Sequence, residues 1–146
     1  AATLGIPALA SSMRTNSDDH FSLSKRVDFS VAGYFTHKFA KILLEKPMPY
    51  DVDLLKLDVP KNATRETPWM VTRQSRFRYY LPVITPRESL SDYGPLRYKS
   101  SYDPDELEKD SDTFVVLAAR QVSVTPISLD KTSRTDFNAL RDILSG

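Results

Sequence analysis

The heptapeptide DLLKLDV, residues 53–59, decides the fold class. Its apolar side chains alternate at Leu55, Leu57 and Val59, and Pro60 follows at once. This alternation predicts a strand with one buried face. The proline ends the strand because it cannot donate a hydrogen bond to a neighbouring strand.

The segment before this strand has the periodicity of a helix. Apolar side chains recur at steps of three and four residues, at Ala32, Phe35, Phe39, Ile42 and Leu43. This spacing predicts a helix over residues 28–46 with one apolar face. Asp28 or Ser30 is placed to cap its first turn, and Pro47 ends it.

Further upstream, residues 6–10 form a short apolar run that is typical of a strand buried on both faces. A strand, a helix and a second strand in this order form the unit from which parallel sheets are built. We therefore predict an α/β fold with a parallel sheet, and assign residues 1–67 to part of its core.

Residues 68–112 have a different composition. The segment is rich in aromatic, β-branched and arginine residues, and four prolines from Pro68 to Pro95 argue against a central sheet strand. We predict an extended hairpin that projects from the sheet. Its arginines and tyrosines at 73–80 fit two hypotheses: stacking on the bases of single-stranded nucleic acid, or packing on a partner subunit. We favour the partner subunit.

Residues 113–146 are predicted to form a second β-hairpin and a final helix. The two strands would span 113–117 and 121–126. The helix, residues 136–144, would be capped by Thr135 and is too short to be stable without a surface to pack on. Together with the projecting hairpin, it supplies the predicted subunit interface: Trp69, Phe77, Tyr79, Tyr80, Phe137 and Leu140.

Composition restricts the class of protein. No cysteine is present, which excludes disulfides and cysteine nucleophiles and fits a cytoplasmic location. No apolar run approaches the roughly 20 residues of a membrane helix, so no membrane partner is predicted. The net charge of +1 gives no indication of nucleic-acid binding.

Because the chain begins without methionine and in sequence typical of a domain interior, we expect a fragment of a longer protein.

The sequence contains no complete catalytic constellation. It has no Gly-rich phosphate loop and no Ser/His/Asp elbow. The tripeptide Asp18-Asp19-His20 resembles a metal cluster, but neighbouring carboxylates in a loop are usually solvated, so we predict no metal ligand here. His37 is predicted to lie on the helix surface or in its packing. From the residues alone, no reaction can be assigned.

Several motifs, in matching order and spacing, resemble the C-terminal half of the survival protein E (SurE) family of nucleotidases. They are LGIPALASS at 4–12, LKLDVP at 55–60, VTRQ at 71–74 followed by Tyr79-Tyr80, and the stretch from Ser111 to Thr132 that contains VSVTP. Lys56 and Asp58 depart from the pattern, because the family usually has asparagines there. Residues 119–121 also replace the family's x-Gly-Tyr.

The resemblance implies a Rossmann-like, three-layer fold and a metal-dependent 5′/3′-nucleotidase that hydrolyses nucleoside monophosphates. It implies a divalent cation, Mg²⁺ or Mn²⁺, whose ligands lie upstream of this chain. No residue here inherits a catalytic or metal role, and the chain alone is expected to be inactive. Ser11 and Ser12, at the end of the first strand, are the only candidates for a supporting contact.

The family's subunits exchange C-terminal elements, so the resemblance also implies a homodimer or homotetramer. The alternative is a non-enzymatic module for oligomerisation or nucleic-acid binding.

Overall fold

A computed structural model describes residues 1–16, 19, 27–84, 86–94 and 97–145. Its strands are β1 (Ala8–Met13), β2 (Leu54–Val59), β3 (Trp69–Val71), β4 (Tyr80–Val83), β5 (Arg97–Ser100) and β6 (Val122–Ile127). Its helices are α1 (Ser30–Glu45), α2 (Asp112–Leu117) and α3 (Phe137–Ser145), with one short 3₁₀ turn at Ala2–Leu4. None of the helices in this described part has the length and apolarity needed to cross a bilayer.

The main sheet has the order β1-β2-β6-β3. Strands β1 and β2 pair in parallel and are joined through α1, which confirms the predicted strand-helix-strand unit and the α/β class. The sheet is mixed: β1 and β2 are parallel, and so are β3 and β6, whereas β6 runs antiparallel to β2. Ser123 of β6 pairs with Asp58 near the end of β2, so the chain enters β6 there and returns in the opposite direction.

Strand β1 differs from its prediction in position and in burial. It begins at Ala8 rather than residue 6, and Ala10, Ser11 and Ser12 are exposed instead of buried on both faces. In the described part of the chain, β1 lies at one end of the sheet and pairs with β2 alone.

Helix α1 supplies one side of the hydrophobic core. Its buried face consists of Ala32, Phe35, Phe39 and Leu43, and it packs on the alternate residues of β2 that the sequence predicted to be buried, Leu55, Leu57 and Val59. The N-cap residue is Phe29, so neither predicted residue occupies that position. Asp28 lies one residue earlier, and its carboxylate accepts a hydrogen bond from the Ser30 backbone N–H at 2.8 Å. The helix ends before Pro47.

Residues 112–117 form α2, so the predicted strand at 113–117 and the hairpin built on it are wrong. The Ser111 hydroxyl accepts from the Phe114 N–H at 3.2 Å and starts a helical turn. A short apolar run does not by its period distinguish a strand from a buried helical turn. The second predicted strand is confirmed as β6, one residue later than expected.

The projecting hairpin is confirmed for β4 and β5, which form their own two-stranded antiparallel sheet. Strand β3 lies elsewhere: it pairs in parallel with β6 at the edge of the main sheet. The Trp69 ring packs edge-to-face on Phe39, with centroids 5.2 Å apart. The boundary at residue 68 stays a prediction.

Helix α3 follows residues 128–136, which form neither a helix nor a strand. Asp136, not Thr135, caps it, since its carboxylate accepts from the Asn138 N–H at 2.8 Å and the Ala139 N–H at 3.4 Å. The helix begins one residue later than predicted, which moves the capping position to Asp136. None of the α3 residues is buried.

Candidate functional site

A cleft of about 730 Å³ opens beside the ends of β1 and β2. Met13 and Val59, the last residues of these two parallel strands, both line it. In open α/β sheets, ligands bind in the crevice outside the carboxyl ends of the strands. The cleft therefore occupies the place where the fold favours a ligand.

Lys56 is the central charged group of this cleft. Since Leu55 and Leu57 face α1, the alternation of the strand directs Lys56 and Asp58 to the opposite face. The Lys56 ammonium lies 2.6 Å from Asp112 Oδ2 and 3.1 Å from Asp58 Oδ2. One cation thus bridges two carboxylates, one on β2 and one at the start of α2.

Asp112 is buried, and it is held by more than its ion pair. Its Oδ1 accepts from the Ser75 N–H at 2.9 Å and from the Thr113 N–H at 2.7 Å. Burial by itself would raise the pKa of Asp112, but the hydrogen bond from Lys56 and those from the backbone outweigh it and lower this pKa. For Lys56, burial opposes the charge, yet the two carboxylates still raise its pKa. Asp112 and Lys56 are therefore both charged at neutral pH.

The structure separates the two serines that the sequence singled out. Ser12 lines the cleft, and its hydroxyl donates to Asp58 Oδ1 at 2.7 Å. Ser11 lies beside α1, where its hydroxyl oxygen is 2.9 Å from the Thr36 hydroxyl. Only Ser12 is thus placed to support a group in the cleft, and a role for either serine in function stays a prediction.

Arg14 adds a second positive group directly after β1. Its backbone N–H donates to the Val59 carbonyl at 2.9 Å, which fixes the start of the side chain at the end of β2. One guanidinium nitrogen, Nη1, is buried without a hydrogen-bond partner among the residues that the structure describes. Lys61, by contrast, donates to Asn16 Oδ1 at 2.7 Å.

Residues 68–112, which include the projecting hairpin, are called the arm from here on. Its aromatic side chains form another wall of the cleft: Phe77, Tyr79, Tyr80 and Tyr98. The Tyr80 ring lies 4.1 Å from Tyr79 and 5.0 Å from Tyr98, centroid to centroid, the latter edge-to-face. Burial and the hydrogen bond with Tyr80 raise the pKa of Tyr79, so its phenol stays neutral at physiological pH.

The six residues predicted for a subunit interface lie in three places. Phe77, Tyr79 and Tyr80 line the cleft, and Trp69 packs on α1 at the sheet edge. Phe137 and Leu140 are exposed on α3. Their role between subunits stays a prediction.

The residues described here do not form a metal site. Among them, no group of three His, Cys, Asp or Glu side chains comes together. The two carboxylates of the cleft, Asp58 and Asp112, already share the Lys56 ammonium. Asp18 and His20 of the tripeptide weighed from the sequence lie outside the described residues.

Sequence reasoning did not identify the ionic network. A signal for part of it was present, because Lys56 and Asp58 occupy the polar positions of an alternating strand and depart from the family motif. Their joint contact with Asp112, 54 to 56 positions away in the chain, depends on the placement of α2. Nothing in the local sequence distinguishes Arg14 from a surface arginine.

Comparison with known proteins gives consistent results. The chain is 35% identical over 144 residues to the 5′-nucleotidase SurE of Thermococcus kodakarensis, covering 99% of this chain and 55% of that protein. It is also 35% identical over 136 residues to the 5′-nucleotidase SurE of Methanocaldococcus jannaschii, covering 90% of this chain and 49% of that protein. The chain thus spans about half the length of the curated relatives it matches.

A solved structure shares the fold. The crystal structure of the SurE protein from Aquifex aeolicus superposes with a TM-score of 0.67 at 22% identity, covering 98% of this chain and 54% of that one. No protein-family profile matches the chain. The two sequence relatives and this common fold confirm that the chain resembles the C-terminal portion of the SurE family.

Proposed function

We propose that the whole protein of which this chain is part hydrolyses the phosphate monoester of nucleoside monophosphates, as a 5′-nucleotidase. The observation that carries the proposal is the similarity to curated 5′-nucleotidase SurE proteins along the entire chain. The cleft at the ends of β1 and β2 supports it, because four cationic side chains and two anionic ones line this cleft. An excess of positive charge suits an anionic substrate.

This chain would form one wall of the active site. Lys56 would hold Asp58 and Asp112 in fixed positions, and Ser12 would hold Asp58 from the other side. The resemblance implies a divalent cation, Mg²⁺ or Mn²⁺, which would activate a water molecule and bind phosphate oxygens. The described residues do not suit that cation, so the proposal places its ligands in the remainder of the protein.

Phosphate release from AMP or GMP by the whole protein, with and without Mg²⁺ or Mn²⁺, tests the proposal. We expect release that depends on the metal. A folded protein that releases no phosphate under either metal would contradict it. The comparisons do not favour the alternative of a non-enzymatic oligomerisation or nucleic-acid-binding module.

We also propose a homodimer or homotetramer in which C-terminal elements are exchanged. The observation in support is α3, whose apolar residues Phe137, Leu140, Ile143 and Leu144 all remain exposed in the single chain. A cytoplasmic location is proposed only on the absence of cysteine.

A further inference from the structure

We propose that the aromatic wall formed by Phe77, Tyr80 and Tyr98 is the subsite that receives the base of the nucleotide. The inference rests on the proposed function, since it assigns one wall of the same cleft to one part of the substrate. It identifies side chains of the projecting hairpin as determinants of the preference for nucleotides over other phosphate monoesters.

The geometry of the hairpin brings two tyrosine rings together on one face. Tyr80 pairs with Ser100 in the register of β4 and β5, so Tyr98 lies diagonally opposite on the same face. Both rings line the cleft while remaining about half exposed, Tyr80 at 48% and Tyr98 at 45%. Their surface is therefore accessible to a ligand. Base stacking on aromatic side chains is a general means of binding a nucleobase.

The same cleft is also lined by charged side chains. Lys56 is balanced by Asp58 and Asp112, so the positive charge open to a phosphate comes from Arg14, Lys61 and Arg120. The unpartnered Nη1 of Arg14 shows that this guanidinium retains unused hydrogen-bonding capacity in the described structure. A cleft lined by both cations and aromatic rings suits a nucleoside monophosphate, an anion linked through a sugar to a flat base.

The size of the cleft agrees with this occupant. Its volume of about 730 Å³ lies within the range of roughly 300–1,000 Å³ that is typical of small-molecule sites. The Asp112 carboxylate accepts from the Ser75 N–H and pairs with Lys56, which links the segment before β4 to α2 and to β2. The aromatic wall is thereby held in the same cleft as the charged side chains.

The test compares two ligands that differ only in the base. Binding of AMP and of ribose 5-phosphate to the whole protein is measured by calorimetry, and phosphate release from both is measured in parallel. In Tyr80→Leu, we expect AMP binding to weaken about tenfold or more, with ribose 5-phosphate binding unchanged. Tyr80→Phe keeps the ring and should keep the preference for AMP.

Tyr93→Leu is the matched control, because Tyr93 belongs to the same arm, is 95% exposed and does not line the cleft. Sedimentation of each variant shows whether a change in association causes the effect. Equal weakening of both ligands, or of neither, in a Tyr80→Leu protein with normal association would overturn the subsite and leave the proposed function intact. Absence of phosphate release in the unmodified protein would overturn the function. The calorimetric comparison would still decide whether the wall binds a base.

Discussion

Helices α1 and α3 are both amphipathic, yet only one is part of a core. Helix α1 buries four residues against β2 and β6, whereas α3 buries none. The two sequences carry the same type of signal, apolar residues at steps of three and four. Such a pattern predicts which face of a helix needs a partner, but it does not identify the partner.

The strongest test of this contrast is a pair of matched truncations. Phe35→Ala removes a side chain that is 1% exposed in the α1 core, and should cost about 3–5 kcal/mol in the free energy of unfolding. Phe137→Ala removes an exposed ring on α3 and should change the stability of an isolated subunit by less than about 0.5 kcal/mol. Urea unfolding of the whole protein, at a concentration where subunits are separated, measures both. Similar losses in the two variants would show that α3 packs within its own subunit.

A second test concerns the junction between the sheet and the arm. Asp112→Asn keeps an oxygen that can accept from the Ser75 and Thr113 N–H groups but removes the charge facing Lys56. We expect the free energy of unfolding to fall by about 2 kcal/mol at neutral pH. This lies between the contributions of exposed and of buried ion pairs. Asp110→Asn is the control, because its bond to Arg73 at 2.8 Å is exposed on both sides, and it should change stability by less than about 1 kcal/mol.

The same pair predicts a dependence of stability on pH. The pKa of Asp112 is lowered in the folded protein, so its contribution is complete above the unfolded value of about 3.9 and is lost as the pH falls through the folded pKa. The pKa of Lys56 is raised, so its contribution is complete below about 10.4 and is lost as the pH rises through the folded pKa. Urea midpoints measured across pH should show that stability falls less at acid pH in Asp112→Asn than in the unmodified protein. An unchanged acid profile would mean that the pair is not formed in solution.

The smallest expected effect is on the association of subunits through the apolar face of α3. Phe137→Ser with Leu140→Ser should weaken subunit association by about 1–2 kcal/mol if this face lies between subunits. Asn138→Ser is the control on the same helix. Sedimentation at several concentrations gives the association constants. A double variant that associates as well as the control would exclude α3 from the interface.

The sequence predicted those features of the structure that depend on side-chain periodicity within one element. The buried face of β2 and the helix α1 followed from side-chain period, and both are confirmed, although α1 begins two residues later and ends one residue earlier than predicted. Residues 113–117 were assigned wrongly because five apolar or β-branched residues fit a strand as well as a buried turn of helix. The cleft was predicted only in part, through Ser12, because its main groups come from distant segments.

The sequence by itself determined the class of the fold, the buried face of β2 and the resemblance to the SurE family, since each rests on short-range pattern or motif order. Only the tertiary structure decided that Lys56 bridges Asp58 and Asp112 and that the tyrosines of the arm line the same cleft. The physical reason is that side-chain periodicity fixes which face of an element is buried. Packing between residues far apart in the chain decides the direction of β6, the position of α2 and the placement of the arm.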